Sequence, residues 1–438
     1  MPAGGIDQNV KFAYPAWVEG SKVTMDALKK HMVQSEAVNL IYASKYAGTA
    51  NYWKNRQGMI DALSKFGTAK SKAGQEAKFN KWANKKANKA KYGKVVPTIN
   101  KYYALTNEKA RHDNYLMQLL RSSAYGTVSR GLGRQLEAYA KADATKRAQM
   151  KPRILEMVEG MHKELHLPAE KEMLAAQLNL YAKKAGYSLA PIVEKLAKEN
   201  NGDFTKYVND AFDASIFTSV EKVKAFLETP SEAMVTGDPL YVLTNDMLNH
   251  YNFRSQELIT AQNDFGASFR LLVEGLRESK IGEIKYPDAN STLRLTYGKV
   301  RSLPADKRND ASINNYTTLE GQVKKYKKGD AEFDLPTRVL EMNAAKDFGR
   351  YADKDGTLHV NFLTDNDITG GNSGSPVLNG KGELIGLAFD GNIEAMAGDV
   401  IFDSKLQRTI NVDIRYVLWV IDNFSGAKHI VDEMTIVK

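Results

Sequence analysis

Thr369-Gly370-Gly371-Asn372-Ser373-Gly374-Ser375-Pro376-Val377 sets one serine between glycines, directly ahead of Pro-Val and a strand-like run from Glu383 to Phe389. A serine that attacks a carbonyl must stand on a tight, exposed turn. Flanking glycines let the backbone bend there and turn its N–H groups toward an oxyanion. The same residue types also build ordinary hairpin loops. The flanking sequence has to decide between the two.

The turn resembles the Gly-Asp-Ser-Gly-Gly-Pro turn of chymotrypsin-like serine peptidases. That resemblance puts Ser373 in the nucleophile's place and the N–H groups of Gly371 and Ser373 in the oxyanion hole. Around it, Leu293, Leu295 and Tyr297 alternate with Arg294 and Thr296, and Leu358, Val360 and Phe362 alternate with His359 and Asn361. Period-two alternation predicts half-buried strands. Asp355-Gly356 and Asn379-Gly380 supply hairpin-type turns. The apolar run from Ile414 to Phe424 reads as a closing helix.

Upstream of about residue 280 the pattern is helical. Ile154, Val158, Met161 and Leu165 recur at helical spacing with charges between them. Similar segments lie near 24–65, 68–90, 98–125, 131–149, 153–166, 169–199, 203–227 and 243–279. Gly67, Pro97, Pro152, Pro168, Asn200-Asn201-Gly202 and Pro230 read as breaks between them. No fixed-period repeat is evident. The expected class is therefore α+β: a large all-helical domain, then the C-terminal β-barrel portion of a double-barrel peptidase. The expected divisions are an unassigned segment 1–22, a helical, substrate-capping domain 23–280 and a peptidase part 281–438.

The bulk numbers bound the rest. At about 150 residues per domain, 438 residues suggest two to three domains. The chain has no cysteine, which excludes disulfides and thiolate metal sites. No apolar run of about 18 residues predicts a membrane span. Met1-Pro-Ala-Gly-Gly-Ile-Asp-Gln has no basic segment followed by an apolar one, so it is not read as a secretory signal. The formal charge is +9, and the window Lys70 to Lys94 holds nine lysines against Glu76 alone. Phe79, Trp82 and Tyr92 interleave them. With no arginine to read base edges, the window is read as a solvated helix face with its aromatics turned inward, and not as a nucleic-acid site.

Serine catalysis needs a base within hydrogen-bond reach. The histidines are His31, His112, His162, His166, His250, His359 and His429. None lies in a turn of the kind expected after a first-barrel strand. His359 is nearest to Ser373 in sequence but sits opposite the apolar residues of its strand. His162 and His166 are four apart on one expected helix, but no third ligand is in view and the intervening glutamate is misplaced for a zinc site. Asp353-Lys354-Asp355-Gly356 starts like a calcium loop and lacks the closing glutamate, so a hairpin turn is the better reading. No metal or other cofactor is expected.

Four stretches now carry a family resemblance. Phe362-Leu-Thr-Asp-Asn-Asp-Ile-Thr-Gly-Gly-Asn-Ser-Gly-Ser-Pro-Val377 resembles the nucleophile region of the bacterial dipeptidyl-peptidase 7/11 family, chymotrypsin-like exopeptidases with a helical domain inserted into the catalytic domain. Tyr42-Ala-Ser-Lys-Tyr-Ala-Gly-Thr-Ala-Asn-Tyr-Trp-Lys-Asn-Arg-Gln-Gly-Met59 resembles its helical-domain signature. Tyr286-Pro-Asp-Ala-Asn-Ser-Thr-Leu-Arg-Leu-Thr-Tyr-Gly298 resembles the return to the catalytic domain, and Leu387-Ala-Phe-Asp-Gly-Asn392 the substrate-pocket strand.

The resemblance implies that Ser373 is the nucleophile and that Gly371 helps to form the oxyanion hole. Asp390 would take the substrate's α-amino group through a charge-assisted hydrogen bond. Asn51 would assist at the amine, with Asn55 as the neighbouring alternative. Gly391 stands where acid-specific members look to have arginine, which implies the dipeptidyl-peptidase 7 type and a preference for an apolar second residue. Asn372 replaces the aspartate that pairs with a freed N-terminus in chymotrypsin, so that activation route is not expected. The implied substrates are oligopeptides with a free N-terminus, the implied location is periplasmic or cell-surface, and a homodimer is left open. The family's N-terminal barrel, with its histidine and aspartate, is not found in the 438 residues. The expectation is thus a truncated chain, inactive alone. The alternative is a non-catalytic helical binding module with a remnant peptidase domain.

Overall fold

In the computed structural model, residues 1–282, 291–304, 314–330 and 332–437 are described. The chain divides into two compact units, Met1–Tyr286 and Pro287–Lys438. The expected boundary lay a few residues earlier, and residues 286–290 of the return motif lie outside the described residues. Positions 1–22, left unassigned from sequence, are helical and belong to the first unit.

The first unit is built from α1 (Ala3–Gln8), α2 (Tyr14–Met32), α3 (Glu36–Lys65), α4 (Thr68–Ala83), α5 (Lys89–Tyr92), α6 (Val95–Ser122), α7 (Leu132–Lys141), α8 (Ala144–Lys163), α9 (Leu167–Lys184), α10 (Pro191–Glu199), α11 (Thr205–Ala214), α12 (Val220–Glu228), α13 (Glu232–Thr236), α14 (Pro239–Asn252) and α15 (Gln256–Ser279). Side-chain caps start several of them. Ser35 accepts from the Val38 N–H, Ser219 from Lys222 and Ser255 from Leu258. Each satisfies a donor that the first helical turn leaves open.

Proline corrects one expected boundary. Pro152 does not end a helix but lies inside α8. The break falls instead at Asp143, whose carboxylate accepts from the Lys146 N–H at 2.9 Å. A cap at 143 leaves Pro152 in the third turn, where the remaining hydrogen bonds carry the helix across it. Pro168, Pro191 and Pro239 sit in first turns, where the missing N–H has no partner to lose. The segment expected as one helix at 24–65 is two, divided by Ser35.

The largest apolar cluster of this unit runs from Leu116 and Leu119 through Leu136, Val158, Leu174 and Leu178 to Phe212, Phe217 and Leu243, and smaller clusters form around Phe79 and Leu28. Among the described residues the buried carboxylates of this unit are Glu170 and Asp238. Glu170 is wholly inaccessible and accepts from Tyr42 Oη, Ser123 Oγ and the Ala124 N–H, each at 2.7 Å. Three donors offset its desolvation and tie α3, the α6 exit and α9 together. Burial, with the Glu170 charge beside it, pushes the Tyr42 phenol well above its ordinary value.

The lysine window behaves as its composition suggests. Phe79 and Tyr92 are buried, and the Trp82 ring lies 5.7 Å from Phe79 and 5.0 Å from Tyr92. His162 and His166 do not share a helix, because α8 ends between them. The His162 Nδ1 pairs with the Val158 carbonyl at 3.0 Å, and the His166 ring faces His31 at 5.3 Å. Among the described residues no cluster of three metal-binding side chains occurs, and no helix is long and apolar enough to cross a membrane.

The second unit holds one antiparallel sheet of β1 (Tyr316–Thr318), β2 (His359–Thr364), β3 (Pro376–Leu378), β4 (Leu384–Gly391) and β5 (Thr409–Asp413), in the order β1-β2-β5-β4-β3. Among the described residues β1 and β3 are edges, so the expected barrel is not closed. Leu319, Val339, Met342, Leu358, Leu418 and Trp419 form the core of this unit, and the Trp419 indole donates to the Asp347 carbonyl at 2.9 Å. The expected closing helix runs over Ile414–Trp419 and widens into a π turn at Val420–Phe424.

One expected strand is absent. Leu293, Leu295 and Tyr297 alternate as a strand would, yet they are 101%, 88% and 87% exposed and make no ladder. Only Val300, beyond them, bridges Thr364. Alternation specifies a face, but a strand also needs a hydrogen-bonding neighbour. The Asp355-Gly356 turn forms as expected, with Gly356 at φ +77°. In the β3–β4 connection the left-handed residue is Gly382, at φ +81°, rather than Gly380. Asn379 Oδ1 gathers the N–H groups of Lys381 and Glu383 at 2.9 and 3.1 Å.

Candidate active site

The serine turn is a loop held at both ends by backbone. The Asn372 N–H donates to the Thr369 carbonyl at 3.2 Å, and Asn372 Oδ1 accepts from the Thr369 N–H at 3.0 Å. Asn372 therefore closes the loop on itself. The Gly374 N–H donates to the Ala388 carbonyl at 2.7 Å, and the Ala388 N–H donates to the Ser375 carbonyl at 2.9 Å. This reciprocal pair fastens the turn to β4.

Glycine is required at two places. Gly371 has φ +103° and Gly374 has φ +82°, regions that a Cβ makes costly. Between them Ser373 is exposed, and its Oγ donates to the Phe389 carbonyl at 3.2 Å. Among the described residues nothing accepts from the N–H groups of Gly371 or Ser373. Two main-chain donors thus stand open beside one exposed hydroxyl.

A bulge in β4 explains the neighbouring residues. Ala388 opposes Asn411 and Asp390 opposes Ile410, so Phe389 is the extra residue. An inserted residue re-aims its strand and frees ladder groups. Here it frees the Phe389 carbonyl that receives the Ser373 hydroxyl. It also brings Asp390, one residue on, beside the serine turn. Asp390 is exposed, and its Oδ1 accepts from the Gly391 N–H at 2.7 Å.

Gly391 is confined. A Cβ there would meet the Ala395 Cβ at 2.8 Å, so any larger residue must displace the 3-10 turn Ile393–Ala397. Beside it, Phe389 and Ile393 are 59% and 76% exposed. The turn is braced from one more side by Asp399, whose Oδ1 accepts from Thr369 Oγ1 at 2.6 Å. Neither the bulge nor Asp399 was legible beforehand, because both depend on how β4 and the segment after it come together.

His359 has other partners. Its ring stacks on Tyr316 at 3.7 Å, and its Nδ1 lies 3.1 Å from an Arg415 Nη and 3.3 Å from Asp353 Oδ2. Asp353 pairs with Arg415, which holds its carboxyl below the usual range, and the Thr357 hydroxyl and N–H lower Asp355 to about 2. His359 thus belongs to a structural ion-pair network, and no described contact of Ser373 is to an imidazole.

Ser373, Gly371, Asp390 and Gly391 lie together in the second unit. Asn51 lies in the first, exposed on α3, and Asn55 follows one turn later beside Arg56.

Comparison with known proteins adds a lineage. The family model described as Peptidase S46 matches residues 2–436. The chain is 53% identical over 436 residues to a dipeptidyl-peptidase 7 of Capnocytophaga gingivalis, covering 99% of this chain and 60% of that protein. It is 31% identical to an Asp/Glu-specific dipeptidyl-peptidase of the same organism, covering all of this chain and 61% of the relative. Among solved structures, Porphyromonas endodontalis DPP11 in complex with the dipeptide Arg-Glu superposes with a TM-score of 0.86 at 27% identity, covering 99% of this chain and 62% of that one. The chain thus spans about 60% of the length of the curated relatives it matches.

Proposed function

The chain belongs to the peptidase S46 family, and from that premise we propose that it carries the nucleophile and substrate-amine site of a serine-type dipeptidyl-peptidase. Ser373 Oγ attacks the carbonyl two residues from a peptide's free N-terminus. Its proton passes to a general base and then to the departing amine, and water afterwards cleaves the acyl-enzyme. The open N–H groups of Gly371 and Ser373 receive the carbonyl oxygen as it turns negative. Asp390 holds the substrate ammonium. The observation that carries the reading is the Ser373–Phe389 contact, in which the hydroxyl meets the backbone carbonyl of the residue preceding Asp390 on β4.

Gly391 leaves the second substrate side chain without a charged partner, and the exposed Phe389 and Ile393 offer it apolar surface. An apolar second residue follows. The family resemblance motivates two further proposals, a periplasmic, cell-surface or secreted location and a homodimer, which fractionation and sedimentation test.

The decisive experiment supplies the base from a relative. A chimaera carries residues 1–438 in place of the matching region of the Capnocytophaga gingivalis protein. It is expected to release dipeptides from an apolar dipeptidyl reporter, and Ser373→Ala is expected to abolish release. A folded chimaera that binds the reporter without cleaving it would instead favour the binding module. The 438 residues tested by themselves are expected to show near-background turnover, because no described imidazole addresses Ser373.

A further inference from the structure

The α4–α5 tip of the helical unit carries an electrostatic feature that peptide cleavage does not use. Between Lys78 and Lys94 the chain has seven lysines and no aspartate or glutamate. Lys78 and Lys81 lie on α4, Lys85 and Lys86 in the turn after it, and Lys89 opens α5. All five are exposed. Among the described residues none of the five has an ion-pair partner, whereas Lys91 is matched by Glu274 at 2.7 Å and Glu278 at 3.8 Å. Local neutralisation thus stops at the edge of the tip.

Two observations decide what such a surface suits. The aromatic residues of the window are spent inside, in the Phe79–Trp82–Tyr92 cluster packed with Leu272, so no exposed ring in the window is free to stack on a base. The window also has no arginine, whose planar fork would suit bidentate reading of bases or of single phosphates. What remains is a group of hydrated ammonium points on flexible stems, fixed to a rigid helical corner. That chemistry matches a laterally mobile sheet of negative charge, in which anions rearrange to meet the lysines.

We propose that the tip formed by Lys78, Lys81, Lys85, Lys86 and Lys89 docks the protein peripherally on an anionic phospholipid surface. Contact is electrostatic and does not insert into the bilayer, because no large apolar side chain of the window is exposed beside the lysines.

The test is vesicle co-sedimentation of the 438-residue chain at about 0.1 M salt, where charges still act over roughly 10 Å. Binding is expected to phosphatidylcholine vesicles containing phosphatidylglycerol, and not to phosphatidylcholine alone. At about 1 M salt it should vanish. Replacing all five lysines by glutamine should weaken binding by roughly a thousandfold, at about fivefold per lysine. Replacing all five by arginine should retain it. Circular dichroism and the fluorescence of Trp82 report whether each variant is folded, and the salt and lipid dependence of the unaltered chain decide without any variant. Equal affinity for neutral vesicles, no binding at low salt, or an undiminished glutamine variant overturns the proposal. Tighter binding to duplex RNA than to anionic vesicles at equal salt also overturns it, in favour of a nucleic-acid partner.

Discussion

The helical unit and the sheet unit meet the same demand, to satisfy backbone groups while burying apolar surface, at different ranges. A helix closes its hydrogen bonds within itself, so the first unit needs neighbours only for its side chains. Its central cluster gathers buried residues from many helices, Leu116 and Leu178 to Leu248 among them. A strand closes its bonds only against another strand. The second unit accordingly has edges at β1 and β3 and leaves Leu293, Leu295 and Tyr297 in the open. Sequence periodicity finds self-sufficient elements readily, and finds elements that depend on a distant partner only in outline.

The largest test of the contrast is catalytic. In the active chimaera, Ser373→Ala should lower kcat by about 10⁴–10⁶-fold with circular dichroism unchanged, because the exposed turn carries chemistry rather than packing. Next comes the helical core, where Leu178→Ala should cost about 2–5 kcal/mol in denaturant unfolding of the first unit. Asp390→Asn in the chimaera should reduce kcat/KM by roughly ten- to a hundredfold, the scale of one hydrogen bond to a charged group, while an N-acetylated reporter stays uncleaved by both forms.

Acid should separate the units. Burial lowers His166 and His250 below the ordinary histidine value. The unfolded chain therefore takes up protons first, and the helical unit starts to lose stability as pH falls below about 6.5. Asp355, lowered to about 2 by Thr357, stabilises the folded sheet unit above the ordinary carboxylate value, and that contribution fades from about pH 4 downward. Tryptophan fluorescence against pH should therefore show two stages, and a single stage near pH 4 would show that the histidine burial is compensated. Smallest of all, Leu295→Ala should change stability by no more than about 0.5 kcal/mol, since that side chain buries nothing.

The legible parts were those written in local dihedrals and local periodicity. Gly371 and Gly374 announced a turn that only glycine makes easily, and both have positive φ. The apolar spacing of Ile154 and Val158 announced α8. Pro152 misled because a capping aspartate nine residues earlier outweighed it. The spacing of His162 and His166 misled because α8 ends between them. Of the candidate site, Ser373, Gly371, Asp390 and Gly391 were found from the motif. The bulge at Phe389 that relates them is a property of strand pairing, and no run of residue types encodes it alone.

That bulge has a consequence for product length. With Ser373 as the attacking group and Asp390 as the anchor for the ammonium, the reach between anchor and cut is set within one strand and the loop stapled to it. On the proposed roles, a gauge cut into a single sheet keeps its length whatever stands at position 391, so side-chain selectivity and product length are set separately.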